Sequence, residues 1–175
     1  MIPSYKYIEE RAEAILIEKE LFVANFDIKL LAENLKIQLI EKDLNDEVSG
    51  FFVITNNKPV ITYKSDSSNP NRTRFTIAHE IGHYILHSKD QPIFIDKTPQ
   101  VMYRNIASTT GEILREREAN AFAAALLMPK ELLVQEINNA PITYVDDTIH
   151  YLSERFGVSH QAMSFRLSNL GYDVG

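Results

Sequence analysis

The chain has 175 residues, 45% of them apolar, no cysteine, and a formal net charge of −6 at an isoelectric point of about 5.4. That describes one domain, or one domain with a small appendage; disulfides, cysteine nucleophiles and cysteine ligands are excluded, and the acidic balance argues against a dedicated nucleic-acid binder, which shows a basic face. Met1-Ile-Pro-Ser-Tyr-Lys has no basic region followed by an apolar run, and no apolar stretch approaches the roughly 20 residues of a membrane span, so a cytoplasmic protein is expected.

Ser4 is placed to cap a first helix running to about Phe22, with Ile8, Ala12, Ile15 and Leu16 at helical spacing. Asp27 caps a short helix from Ile28 to Leu35. Apolar and period-two patterns then predict strands near Ile37–Glu41, Gly50–Thr55 and Pro59–Tyr63, with Asn56-Asn57 as the tight turn of a hairpin. A small sheet therefore directly precedes the helix that begins after Asn69-Pro70.

That helix carries the main chemical signal, Arg74-Phe-Thr-Ile-Ala-His-Glu-Ile-Gly-His-Tyr-Ile-Leu-His87. It contains His79-Glu80-x-x-His83. Residues four apart share a helix face, so His79 and His83 can grip one metal ion while Glu80 projects beside them to accept a proton from water. Glu80 is the only charged residue between Phe75 and Leu86, and a buried helix would not carry an unpaired carboxylate without a use for it. His87 continues the spacing, but each four-residue step drifts by roughly 40°, so it is expected at the helix end or in packing, not on the metal. Leu86 and Lys89 stand where the longer HExxHxxGxxH motif needs glycine and histidine, which excludes that class.

The third ligand is sought in Leu114-Arg-Glu-Arg-Glu-Ala-Asn-Ala-Phe-Ala-Ala-Ala-Leu-Leu-Met-Pro129, a strong helix former. Thr109-x-x-Glu112 can cap its start and Pro129 marks its end. Glu116, Ala119, Asn120, Ala123 and Leu127 form one stripe, whose alanines allow close approach of a second helix. Glu116 and Glu118 compete for the metal. Glu118 lies about 200° round the helix from Glu116 and is expected to face solvent, so Glu116 is preferred. Asn120 is then placed to hydrogen-bond a ligating histidine and fix its tautomer. A His, His, Glu set with an open position suits catalytic zinc.

Asp146 to Leu167 reads as helix, glycine-containing turn, helix, with Ser159 capping the second helix and Gly171 beyond its end. The pattern resembles a helix-turn-helix. Residues 146–175 hold two arginines, no lysine and four acidic residues, which favours structural packing or docking of a protein partner over DNA binding. The expected division is a metallopeptidase domain at 1–145 and a helical extension at 146–175 packed on the same domain. The fold class is α+β: a small antiparallel or mixed sheet on a helical core that carries the HExxH helix, with the C-terminal helical pair.

Arg74 to His83 with His87, and Glu116-x-x-Ala-Asn-x-Phe-Ala-x-x-Leu-Leu-Met-Pro129, together resemble the ImmA/IrrE family of zinc metallopeptidases. The resemblance implies a compact, gluzincin-like peptidase with zinc on His79, His83 and Glu116 and Glu80 as general base. It also implies a substrate among small helix-turn-helix repressors, whose cleavage relieves repression; an acidic enzyme suits a basic partner of that kind. Some members act in toxin–antitoxin pairs, which keeps open a non-catalytic module that sequesters a repressor or toxin. The intact motif disfavours it. A zinc peptidase holds its substrate extended, and the strand Val60-Ile61-Thr62-Tyr63 is the candidate edge for that pairing. Tyr84, Tyr103 and His150 are alternative donors to the oxyanion. The spacer from Gln91 to Thr109 matches no pattern of the family.

Overall fold

A computed structural model describes residues 4–45, 48–89, 93–97, 110–139 and 145–173. Ser4 accepts a hydrogen bond from the Tyr7 amide at 3.2 Å and starts helix α1 (Tyr5–Glu18). The helix stops short of Phe22 because Glu20 turns left-handed (φ 58°) and the Leu21 amide returns to the Leu16 carbonyl at 2.8 Å, a closure that ends the helical ladder. Asp27 Oδ1 accepts from the amides of Lys29 and Leu30, starting α2 (Ile28–Asn34).

Strands β1 (Gln38–Glu41), β2 (Val48–Thr55), β3 (Lys58–Tyr63) and β4 (Ile93–Lys97) form one mixed sheet in the order β1-β3-β2-β4. Asn56 (φ 50°) and Asn57 (φ 59°) make the hairpin turn between β2 and β3, both in the left-handed region that a primed turn requires. β1 runs parallel to β3, with Gln38 opposite Val60 and Glu41 opposite Tyr63. This overturns the expectation that Val60, Ile61, Thr62 and Tyr63 form a free edge. The hairpin satisfies one side of β3 and β1 crosses over to satisfy the other, so all four residues are buried in the middle of the sheet. β4, antiparallel to β2, falls in the spacer that matches no pattern of the family, where no strand is expected.

Asn69 caps helix α3 (Pro70–His87) through the Arg72 amide at 3.1 Å, and Pro70 occupies its first position. Helix α4 (Thr110–Leu127) ends before Pro129; the expected cap at Thr109 lies outside the described residues. A further helix, α5 (Lys130–Asn139), was not anticipated. Helices α6 (Val145–Phe156) and α7 (His160–Asn169) follow, joined by Gly157 at φ 63°, with Ser159 Oγ accepting from the Ala162 amide. The α+β class stands as expected.

One apolar cluster joins Ile8 and Leu16 of α1, Phe52 and Ile61 of the sheet, Ile77 of α3, Phe122 and Leu126 of α4, and Phe156 and Met163 of the last helices. α4 lies between α1 and α3, and α3 covers β2 and β3. Two arginines, Arg166 buried and Arg74 half-buried, fasten distant segments to this core. Arg74 on α3 donates through Nη1 to the carbonyls of Phe156 and Gly157 and through Nη2 to that of Phe26, its guanidinium 5.2 Å from the Phe26 ring. Burial lowers its pKa to about 10. Arg166 on α7 donates to the Met128 carbonyl and, with both terminal nitrogens, to the Glu9 carboxylate on α1.

Candidate metal centre

α3 and α4 approach almost backbone to backbone. A Cβ at Gly82 would stand 3.2 Å from the Cα and the carbonyl oxygen of Ala119 and from the Phe122 ring. The glycine inside the histidine motif thus sets the separation of the two helices that carry the candidate ligands.

Across this contact three side chains converge. His79 Nε2 lies 3.2 Å from Glu116 Oε2, His83 Nε2 lies 3.3 Å from Glu116 Oε1, and the two Nε2 atoms are 2.9 Å apart. His83 is fully buried, His79 nearly so, and the Glu116 side chain is 19% exposed. Donors on a tetrahedral ion with bonds near 2.0–2.1 Å stand about 3.3 Å apart, so the two histidine–glutamate distances and the donor types suit a metal ion held by this set.

The electrostatics keep both donor types in ligand form. Burial lowers the His83 pKa to about 4, against the opposing hydrogen bond to Glu116. Burial alone would raise Glu116, but its hydrogen bonds with His79 and His83 outweigh this and hold it at about 2. At neutral pH the site therefore offers a neutral imidazole at His83 and a carboxylate at Glu116.

Behind the donors lies a second set of contacts. His79 Nδ1 is 3.0 Å from Asn120 Oδ1, the contact expected of Asn120. His83 Nδ1 faces His87 Nδ1 at 3.1 Å, and His87 Nε2 meets Glu118 Oε2 at 2.8 Å. Glu118 is thus buried, correcting the expectation that it faces solvent. An angular offset from Glu116 leads to water only if the helix has a free face there, and α4 is wedged between α1 and α3. His87 does end α3, as expected, but its ring has specific partners on both sides. Asking where the second nitrogen of His83 finds its partner would have pointed to it.

Glu80 is fully buried between the sheet and α3. A Cβ at Gly50 of β2 would come within 2.8 Å of Thr76 Cγ2 and 3.4 Å of Glu80 Oε1. Gly50 therefore makes room for the Thr76 side chain, one turn before this carboxylate, a role that its strand position alone did not signal. Of the three oxyanion candidates, Tyr84 packs its ring on Phe52 at 5.5 Å between centroids, and His150 is exposed on α6 with Nε2 3.6 Å from Glu154. Tyr103 lies outside the described residues.

Residues 32–168 match the family model Peptidase_M78, the IrrE N-terminal-like domain. A search of curated proteins finds no match. Among solved structures, a Mycobacterium tuberculosis transcriptional regulator superposes with a TM-score of 0.60 at 21% identity, over 92% of this chain and 46% of that one. The likeness is one of fold, and this chain spans about half the length of that regulator.

Proposed function

Because the chain belongs to the IrrE N-terminal-like family of metallopeptidases, we propose that it is a zinc-dependent endopeptidase that makes a site-specific cut in a small helix-turn-helix repressor. The observation that carries the reading is the convergence of His79, His83 and Glu116 donors within 4.8 Å of one another, beside the buried carboxylate of Glu80. His79, His83 and Glu116 hold the ion. When bound, zinc supplies a Lewis acid for the scissile carbonyl and lowers the pKa of water toward roughly 7. Glu80 accepts the proton of the attacking water on a carboxylate oxygen and delivers it to the leaving amine nitrogen. Asn120 accepts the Nδ1 proton of His79, which leaves the Nε2 lone pair for the metal.

The substrate class rests on family membership, on the net charge of −6, which favours a basic partner, and on the regulator that shares the fold. With β3 enclosed, strand pairing falls to β4. Among the described residues β4 is the edge beside β2, and β2 carries Gly50 against Glu80.

Three measurements test the reading. Elemental analysis is expected to find one zinc per chain, lost in Glu116→Ala and retained in Glu118→Ala at saturating metal. Glu80→Gln is expected to keep zinc and fold while losing cleavage by 10²–10⁴-fold or more, because glutamine does not accept the proton. Fragment mapping by mass spectrometry is expected to show one cut in the cognate repressor and almost none in casein. Many cuts in casein would refute the regulatory reading, and tight repressor binding without a cut would favour sequestration.

A further inference from the structure

We propose that His87 and Glu118 are a positioning relay for His83, one that fixes which of its ring nitrogens is free to bind metal. The proposal rests on the metal site described above and assigns work to two residues outside the ligand set. A neutral imidazole carries one hydrogen, on Nδ1 or on Nε2. His83 directs Nε2 toward Glu116 and His79, so a usable lone pair there requires the hydrogen on Nδ1. That Nδ1–H needs an acceptor, and the atom facing it is His87 Nδ1 at 3.1 Å.

His87 Nδ1 accepts only if the His87 hydrogen sits on Nε2. Glu118 Oε2, at 2.8 Å from His87 Nε2, demands that arrangement, because a carboxylate only accepts. The choice made at Glu118 thus passes through two rings to the metal-facing atom of His83. Without Glu118, His87 is free to place its hydrogen on Nδ1. It would then confront His83 as a donor and drive the His83 hydrogen onto Nε2, where it blocks the ligand position. Both rings are buried, at 0% and 6% exposure, so bulk water does not replace the lost acceptor. The helical drift that keeps His87 off the ion places it behind His83, and α4 supplies Glu116 to the donors and Glu118 to the relay.

The test uses the full chain with zinc. In the loaded wild type, long-range proton–nitrogen NMR correlations are expected to show His87 protonated at Nε2 and accepting at Nδ1. Competition against a chromophoric chelator is expected to show zinc binding weakened 10–100-fold in Glu118→Ala and in His87→Phe. The double variant should be no weaker than His87→Phe alone, because the two residues act as one unit. Glu118→Gln, whose amide oxygen still accepts from Nε2–H, should restore most of the affinity, which a role in packing alone would not predict. Zinc affinity within twofold of wild type in both single variants, or His87 protonated at Nδ1, would overturn the relay. The NMR result stands even if a variant fails to fold. A wild type that takes up no zinc would sink the relay together with the metal site. One that binds zinc but cuts nothing would count against the peptidase reading alone, with the relay still judged by affinity.

Discussion

The absence of one carbon at Gly50 decides where Thr76, one turn before Glu80, can sit. Gly50→Ala puts a methyl against Thr76 Cγ2 and the Thr62 carbonyl and close to Glu80 Oε1. Crowding of this kind costs about 1–3 kcal/mol. The expected phenotype is a clear drop in cleavage rate with zinc content unchanged, read by turnover and elemental analysis on the same sample. Acid provides a second check. His83 has a folded-state pKa of about 4 against 6.5, so between these values the unfolded chain binds more protons and stability rises with pH. Glu116, at about 2 against 4.5, acts in the same direction lower down. The melting temperature of zinc-free protein should therefore fall as pH drops from 6.5 toward 4 and continue to fall below that; a flat profile would contradict both environments. His79, Glu80 and His83 were legible because their spacing is local to one helix. Glu118 was not, because its surroundings depend on which helices flank α4.

Among the elements, the contact of α3 with α4 governs the centre. Gly82→Val would push against the Ala119 backbone and the Phe122 ring, neither of which can yield without moving α4. Expected results are a loss of about 1–3 kcal/mol in urea unfolding and weaker zinc binding, since Glu116 moves away from the histidines. This separates Gly82, which acts on metal affinity, from Gly50, which acts on rate. Helix starts at Ser4, Asp27 and Ser159 could be read from the chain because a cap is a contact over two or three residues. Strand order could not, since β1 and β3 are joined by a pairing that no local pattern encodes. Ile93-Phe-Ile was a strand signal of three residues, too short to stand out in the spacer. The Lys130–Asn139 helix follows Pro129, and a proline that ends one helix also starts the next, so the sequence signal for the stop hides the second start.

At the scale of the whole molecule, Arg74 links the metal helix to the turn between α6 and α7. Arg74→Met leaves three carbonyls without their donor and should cost about 2–4 kcal/mol, seen as a lower urea midpoint at unchanged slope. Arg74→Lys should recover little of it, because an ammonium does not span all three acceptors. The pairing of Glu9 with Arg166 closes a sequence separation of 157 residues. That separation has a consequence for birth on the ribosome. At synthesis rates of 5–20 residues per second, roughly 8–30 seconds pass between the appearance of one partner and the other. For much of that time α4 is also missing, and Ile8, Ile15 and Leu16, all buried in the finished protein, have nothing to cover them. The nascent first helix thus keeps this apolar stripe uncovered until α4 emerges, an interval in which exposed hydrophobic surface favours aggregation.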